Sequence, residues 1–180
     1  MKVKTHCYHP RTVKVMNDIQ AGSTPMTGWK NILVPLDFSE SSSHALKMAA
    51  GLAEKTGAKL TLLHVIHIPA CFPMDALQDM DDLKNCARDS LERMAREISP
   101  GLIRQKIVLF AHEGIAEEII EAAAELSANL IVMTTHKHGR LARVLYECIA
   151  EKVQRCAPCP VLAASDAKDF ARQAQLHPAV

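Results

Sequence analysis

The feature that most constrains the fold of this 180-residue chain is a regular alternation of short apolar runs with longer amphipathic segments. The apolar runs have the length of buried strands. They lie at 31–35, 59–66, 105–111, 130–134 and 160–164. In the segments between them apolar residues recur every three or four positions, which is typical of helices that bury one stripe. The pattern therefore predicts five strands joined by four helices.

Strands that are apolar almost throughout are typical of parallel sheets covered on both faces. A parallel pair of strands needs a crossover connection, and such crossovers are right-handed. The sequence therefore predicts an α/β fold, a doubly wound five-stranded parallel sheet with helices on both faces, of the Rossmann-like kind.

The chain has the length of one domain of ordinary size. Residues 1–28 show no sustained period and end in a loop-forming stretch, so we expect an irregular N-terminal arm. The folded domain is predicted at 29–165, and residues 166–180 form a polar C-terminal tail.

Charge and composition exclude several classes of protein. Lysines and arginines total 21 against 20 acidic residues, so no basic surface for nucleic acid or for an anionic membrane is expected. No apolar run reaches the roughly 18 to 20 residues that cross a bilayer. The basic N-terminus lacks the apolar segment of a secretory signal. Six cysteines without a disulfide-scaffold pattern indicate free thiols, so we expect a cytoplasmic protein.

Several short motifs appear in a fixed order. The first strand and its acidic turn read ILVPLDFSESSSHAL from Ile32, and EGIAEEI begins at Glu113. NLIVM begins at Asn129, and a closing helix and strand run from Ile149 through CAPCPVL, which begins at Cys156. Taken together over 30–164, these motifs resemble the universal stress protein family. The resemblance implies that family's adenine-nucleotide alpha-hydrolase-like fold, with the strand order 3-2-1-4-5.

In the ATP-binding branch of the family, the loop after strand four carries a glycine, two residues, a second glycine, nine residues, a third glycine and then Ser or Thr. Counted back from the matched Ala150, these positions are held here by Thr134, Lys137, Glu147 and Cys148. Glycines in such loops let the backbone approach a phosphate closely. A carboxylate at Glu147 would repel a phosphate about 4 Å away by roughly 4 kcal/mol. We therefore expect no functional ATP binding.

A nucleotide site remains an alternative, because the same loop carries side chains that attract anions. If a nucleotide binds, the resemblance implies that Asp37 and Val65 contact the adenine and ribose. It implies that the loop after strand four contacts the phosphates. The full set of expected contacts is Pro35, Leu36, Asp37, Val65, Thr134, His136, Lys137, His138, Gly139, Arg140, Glu147 and Cys148. Without a nucleotide, Asp37 is interpreted as a helix-capping carboxylate and Val65 as a core residue.

A metal site is not expected. Cys156 and Cys159 have the C-x-x-C spacing that suits zinc or redox chemistry. The two histidines at 136 and 138 would lie at the opposite end of the sheet, because a helix separates them from the cysteines. A redox-active thiol pair stays open as a minor alternative.

The sequence shows no G-x-S-x-G turn, no H-E-x-x-H and no G-K-[ST], so an enzyme is not expected. We predict a non-enzymatic stress-response protein without a cofactor, acting on an unknown protein partner. The family resemblance implies a homodimer paired through the fifth strand, at Pro160, Val161, Leu162, Ala163 and Ala164. The alternative is a regulatory module that binds ATP or AMP, with weak ATPase or autophosphorylation activity.

Overall fold

The computed structural model describes residues 28–68, 77–134 and 142–164, with the backbone alone described at 77–78 and 142–148. The strands are β1 (Asn31–Pro35), β2 (Lys59–His67), β3 (Ile103–Ala111), β4 (Leu130–Thr134) and β5 (Val161–Ala164). The helices are α1 (Glu40–Thr56), α2 (Leu77–Ala95), α3 (Ile115–Glu125) and α4 (Ala142–Cys156). A 3₁₀ turn at Pro100–Leu102 precedes β3. The predicted N-terminal arm before Gly28 and the predicted tail from 166 lie outside the described residues.

The five strands form one sheet in the order β3-β2-β1-β4-β5, and every pairing is parallel. Ile32 of β1 lies opposite Leu60 on one side and Leu130 on the other, so β1 is the central strand. The predicted fold class and strand order are confirmed. The connections run outward from β1 in both directions, which places the switch point of the sheet between β1 and β4.

Each face of the sheet is covered by its own apolar cluster. The first cluster combines α1 and the C-terminal half of α2 with side chains such as Ile32, Val34 and Leu62. The second combines α3 and α4 with Leu33, Leu63 and their neighbours on β4. Successive strand residues point to opposite faces, so β1 contributes Ile32 and Val34 to one cluster and Leu33 to the other. These residues are at most 1% exposed, which explains why the strands are apolar throughout.

Local signals fix the ends of α1. Ser39 has an extended backbone, and its side chain accepts a hydrogen bond from the N–H of Ser42, the usual geometry of an N-cap. At the other end, Gly57 takes the left-handed conformation at φ 73°, and its N–H bonds to the carbonyl of Ala53. Glycine is favoured there because it has no Cβ to clash.

Several element ends differ from the sequence prediction, among them the end of β2 at His67 rather than at residue 66. The strand β3 begins at Ile103, two residues earlier than predicted, because it continues pairing with β2 across an irregular register. The helix α2 ends at Ala95, although the apolar spacing in the sequence continues to Ile98, since the following N–H groups bond to carbonyls three residues back in a tighter turn. Pro160 lies outside β5 because it has no N–H, although its carbonyl accepts a bond from the N–H of Ile131.

None of the helices in the described part of the chain combines the length and the apolar character that crossing a membrane requires.

Hydrogen bonds made by polar side chains link the amino ends of β1 and β4. The side-chain oxygen of Asn129 accepts bonds from the N–H groups of Lys30 and Asn31, at 3.0 and 3.1 Å. Asn31 is held further by Arg104, whose guanidinium donates to the Asn31 side-chain oxygen at 3.0 Å. These contacts join residues that are between 73 and 99 positions apart in the sequence.

Replacing Asn129 with alanine is expected to lower the free energy of unfolding by about 0.5–1 kcal/mol, because two backbone donors lose their acceptor at an exposed site where water replaces it in part. Asn129→Asp is the matched control, since a carboxylate oxygen accepts the same two bonds. Urea denaturation of both variants measures the effect. Equal losses in the two variants would show that the acceptor role of Asn129 contributes nothing.

Candidate functional site

A cleft of about 190 Å³ opens at the carboxyl ends of the central strands, beside the switch point. Ligands of doubly wound folds bind at this position. Three strands supply its floor, and α3 and α4 supply its far wall. The lining residues are Pro35, Leu36, Asp37, Ser42, Leu63, His64, Val65, Ile115, Ile119, Met133, Thr134 and Ile149.

Five of the residues that sequence reasoning assigned to a nucleotide site lie together in this cleft: Pro35, Leu36, Asp37, Val65 and Thr134. The loop residues His136, Lys137, His138, Gly139 and Arg140 lie outside the described residues. Glu147 and Cys148 lie in α4, where only the backbone is described. The cleft therefore contains the residues assigned to the base and ribose together with the first residue of the phosphate-loop motif.

Seven lining residues were not predicted: Ser42, Leu63, His64, Ile115, Ile119, Met133 and Ile149. Most of them are apolar side chains of the second core cluster that extend to the carboxyl edge of the sheet. In the sequence they are indistinguishable from ordinary core residues. A signal for His64 was present, since it is a histidine with two apolar residues on either side, in the run LLHVI.

The described lining carries one carboxylate, that of Asp37, and neither a lysine nor an arginine. Seven aliphatic or thioether side chains make the walls largely apolar: Leu36, Leu63, Val65, Ile115, Ile119, Met133 and Ile149. Such walls suit an uncharged, flat group, with Asp37 as a hydrogen-bond acceptor at the rim. The described walls supply no positive charge for a phosphate.

The helix α4 begins at Ala142, so Glu147 and Cys148 lie more than one turn inside it. In an α-helix only the first four N–H groups are without an intrahelical partner. The N–H groups at 147 and 148 fall within the pattern of bonds to the carbonyl four residues back. The backbone at the third glycine position of the family motif is thus already engaged in the helix.

The acidic turn, Leu36–Ser39, is internally bonded. One carboxylate oxygen of Asp37 accepts bonds from the N–H of Ser39 at 3.0 Å and from its hydroxyl at 2.6 Å. The hydroxyl oxygen of Ser39 accepts in turn from the N–H of Ser42 at 3.1 Å, and the hydroxyl of Ser42 donates to the Ser39 carbonyl. The turn therefore couples Asp37 directly to the N-terminus of α1.

His64 lies behind this turn. Its Nδ1 is 2.7 Å from the carbonyl oxygen of Leu36, and its ring stacks on Phe38 with centroids 4.1 Å apart. Burial lowers the pKa of His64 below the ordinary 6.5, while the bond to the Leu36 carbonyl and the charge of Asp37 act in the opposite direction. The imidazole is therefore favoured in its neutral form.

A model of the universal stress protein family matches residues 28–165 of this chain. The chain belongs to the universal stress protein family. A universal stress protein of Methanocaldococcus jannaschii is 30% identical over 141 residues, a match that covers 74% of this chain and 81% of the relative. The resemblance inferred from the sequence motifs is confirmed.

Solved structures of universal stress proteins share the fold. UspA from Lactobacillus plantarum superposes with a TM-score of 0.62 at 22% identity, over 75% of this chain and 97% of that one. A universal stress protein in complex with cAMP superposes with a TM-score of 0.54 at 21% identity, over 77% of this chain and 98% of that one. At these identities the likeness establishes a common architecture.

Lowering the pH is expected to destabilise this universal stress protein through His64. Because the pKa of His64 is depressed in the folded state, the unfolded chain binds the proton more tightly. The contribution of His64 to stability is therefore complete above the unfolded value of 6.5 and is lost as the pH falls through the folded-state pKa.

Urea denaturation at about pH 7.5 and about pH 5, on wild type and on His64→Asn, isolates this contribution from that of the other histidines. Wild type is expected to lose more stability between the two pH values than the variant. An identical pH dependence in the two proteins would show that His64 is not the group responsible.

The thiols of the C-x-x-C segment differ in their surroundings. Cys159 is buried, and burial raises its pKa to about 11. Cys156 is half-buried, and neither cysteine forms a disulfide bond. Since the thiolate is the reactive form, a buried thiol with a raised pKa is a poor nucleophile. This environment argues against a redox pair at these positions.

Alkylation of the native protein with iodoacetamide is expected to modify the exposed Cys86 and to leave Cys159 unmodified until the chain is denatured. Mass spectrometry of the proteolytic fragments, with and without denaturant, measures the reaction at each cysteine. Modification of Cys159 in the native protein at the rate of Cys86 would contradict the burial-based argument.

Proposed function

We propose that this universal stress protein is a non-enzymatic stress-response regulator that acts as a cytoplasmic dimer without binding ATP. The observation that carries the proposal is the composition of the would-be phosphate loop. All three glycine positions of the ATP-binding motif are occupied by side chains, at Thr134, Lys137 and Glu147. The helical backbone at 147 and 148 supports the proposal, because N–H groups engaged inside a helix are unavailable to a phosphate.

The polar groups of the cleft support a non-enzymatic role. The hydroxyl of Ser42 donates to the carbonyl of Ser39 at 3.0 Å, and the Nδ1 of His64 faces the carbonyl of Leu36. Neither contact is the hydroxyl-to-imidazole hydrogen bond that activates a serine nucleophile. Both side chains are engaged in holding the acidic turn.

Isothermal titration calorimetry with ATP and Mg²⁺ tests the proposal. We expect no binding in the micromolar range, with adenosine as the phosphate-free comparison. Micromolar affinity of the wild-type protein for ATP would overturn the proposal.

The proposed dimer uses the edge strand β5. It is the last strand of the sheet and pairs only with β4 within the described part of the chain. Leu162 and Ala163 are half-buried, whereas Val161 and Ala164 are buried. An apolar edge strand is prone to pair with another chain, and a two-fold interface covers it without leaving a further edge.

Size-exclusion chromatography with light scattering is expected to give the mass of a dimer, and Ala163→Glu is expected to shift it toward the monomer. Two carboxylates facing each other across a two-fold axis repel, which is how charged edge strands prevent pairing. Gln105→Glu, on the β3 edge at the other side of the sheet, is the matched control. A clean monomer of wild type at high protein concentration would count against the proposal.

A second candidate function is a regulatory module that binds AMP or ATP through a remodelled phosphate loop. The specific observation in its favour is the cleft, in which the apolar walls and Asp37 suit a base. A universal stress protein of the same fold binds cAMP in its crystal. In this case Lys137, His138 and Arg140 would attract the phosphate. Calorimetry with AMP separates the two functions, because micromolar binding of AMP favours the second.

A further inference from the structure

The acidic turn contains a backbone conformation that its sequence does not favour. Phe38 has φ 65°, in the left-handed region. That region is normally occupied by glycine, asparagine or aspartate, and a bulky aromatic residue there is an outlier that the surrounding structure must hold. Phe38 lies between Asp37, which lines the cleft, and Ser39, which caps α1.

Contacts from β2 hold the turn in place. The N–H of Leu36 donates to the carbonyl of Leu63 at 2.8 Å, which extends the β1–β2 pairing by one bond. The carbonyl of Leu36 faces Nδ1 of His64 at 2.7 Å. Because a carbonyl only accepts, the proton of the neutral imidazole lies on Nδ1. The same imidazole stacks on Phe38, with the two ring planes 24° apart.

The His64 ring reaches the acidic turn from the α1–α2 face of the sheet, although His64 also borders the cleft. Leu63 and Val65 pack in the cluster on the α3–α4 face, so the side chain between them points to the α1–α2 face. Phe38 packs against the cluster on that same α1–α2 face. The imidazole therefore contacts the acidic turn from the α1–α2 side, and His64 and Asp37 both border the cleft.

We propose that His64 is a positioning residue, whose imidazole holds Phe38 in the left-handed conformation and thereby fixes the Asp37 carboxylate at the mouth of the cleft. The effect of His64 reaches Asp37 through Phe38, because Phe38 and Asp37 are adjacent residues of the same turn. If the ring of His64 is removed, Phe38 loses its stacking partner and relaxes to negative φ. The N–H of Ser39 then no longer meets the carboxylate of Asp37 at 3.0 Å. The effect on a ligand rests on the second candidate function, whereas the effect on the turn does not.

Two substitutions separate the ring from the hydrogen bond. His64→Asn keeps a side-chain N–H donor near the position of Nδ1 but removes the ring, and His64→Phe keeps a ring but removes the donor. Nuclear magnetic resonance measures the turn directly, since a strong NOE between the amide proton and Hα of one residue marks positive φ. The chemical shift of the Ser39 amide reports whether its hydrogen bond to Asp37 is formed.

We expect the strong NOE at Phe38 in wild type and in His64→Phe, and its loss in His64→Asn together with a shift of the Ser39 amide. A folded His64→Asn protein that keeps both signals would overturn the proposal. If His64→Asn does not fold, the Phe38→Gly/His64→Asn double variant replaces it, because glycine takes positive φ without support. The double variant is then expected to fold. Its Ser39 amide is expected to have the same chemical shift as in the single variant Phe38→Gly. Failure of the double variant to do so would overturn the proposal as well.

AMP is the probe for the cleft. If wild type binds AMP, His64→Asn is expected to weaken binding by about tenfold, the usual effect of displacing one charged hydrogen-bond partner. Val153→Ala, in the second apolar cluster and outside the cleft lining, is the matched control that lowers stability from the other face of the sheet. Equal loss of AMP affinity in both variants would contradict a positioning role. Absence of AMP binding in wild type removes the second candidate function, and the resonance measurement still decides the role of His64.

Discussion

Replacing Ile131 with alanine is expected to lower the free energy of unfolding by about 2–5 kcal/mol, the largest stability effect predicted for a single residue here. Ile131 is fully buried on β4 and lies opposite Leu33 of β1 and Val161 of β5. Its side chain belongs to the cluster beneath α3 and α4. Truncation leaves a cavity between paired strands and helices, where the surroundings collapse only partly.

Equilibrium urea denaturation followed by circular dichroism measures this loss. The protein concentration is held constant, because the stability of the proposed dimer would depend on it. Met48→Ala is the matched control, since Met48 is 42% exposed on α1 and its truncation is expected to change stability by less than about 0.5 kcal/mol. A loss below about 1 kcal/mol for Ile131→Ala would contradict the packing described for β4.

Replacing Glu147 with glutamine is expected to increase the affinity for ATP by up to about 10³-fold, from the millimolar toward the micromolar range. The proposal assigns this carboxylate to the position where ATP-binding relatives have a glycine. Removing its charge removes a repulsion of roughly 4 kcal/mol from a phosphate about 4 Å away. Glutamine is preferable to glycine for this test, because it does not weaken the helix α4.

Titration with ATP and with adenosine, each on wild type and variant, provides the controls. Adenosine has no phosphate, so its affinity is expected to be unchanged by the substitution. Glu151→Gln, an exposed position one turn further along α4, removes the same charge away from the third glycine position. An equal gain from both variants would attribute the effect to overall charge. No gain from Glu147→Gln would show that the carboxylate is not what opposes phosphate binding.

The fold followed closely from the sequence because its signals are local. The apolar run of β1 and the stripe of α1 depend on the periods of strand and helix. Ser39 and Gly57 mark the ends of α1 through capping geometry that involves only neighbouring residues. The end of α2 was harder to predict, since the apolar spacing continues to Ile98 although the backbone tightens after Ala95.

The candidate site was predictable in part. Asp37 and Val65 were assigned from motifs at strand ends, and parallel strands bring their carboxyl ends to one edge of the sheet. The apolar wall formed by Ile115, Ile119 and Met133 was not predictable, because nothing in the sequence separates a core residue that borders a cleft from one that does not. Whether a residue at the edge of the core is exposed to a cleft depends on where the neighbouring helices and strands end.

The sequence by itself determined the order and type of the elements, the family and the loss of the loop glycines, because these depend on residue identity at fixed spacing. Only the tertiary structure decided what His64 does. Its partners, Leu36 and Phe38, precede it by more than 25 positions and meet it through the parallel register of β1 and β2. The conformation of Phe38 is likewise tertiary in origin, since an aromatic residue holds positive φ only where packing compensates for its local strain.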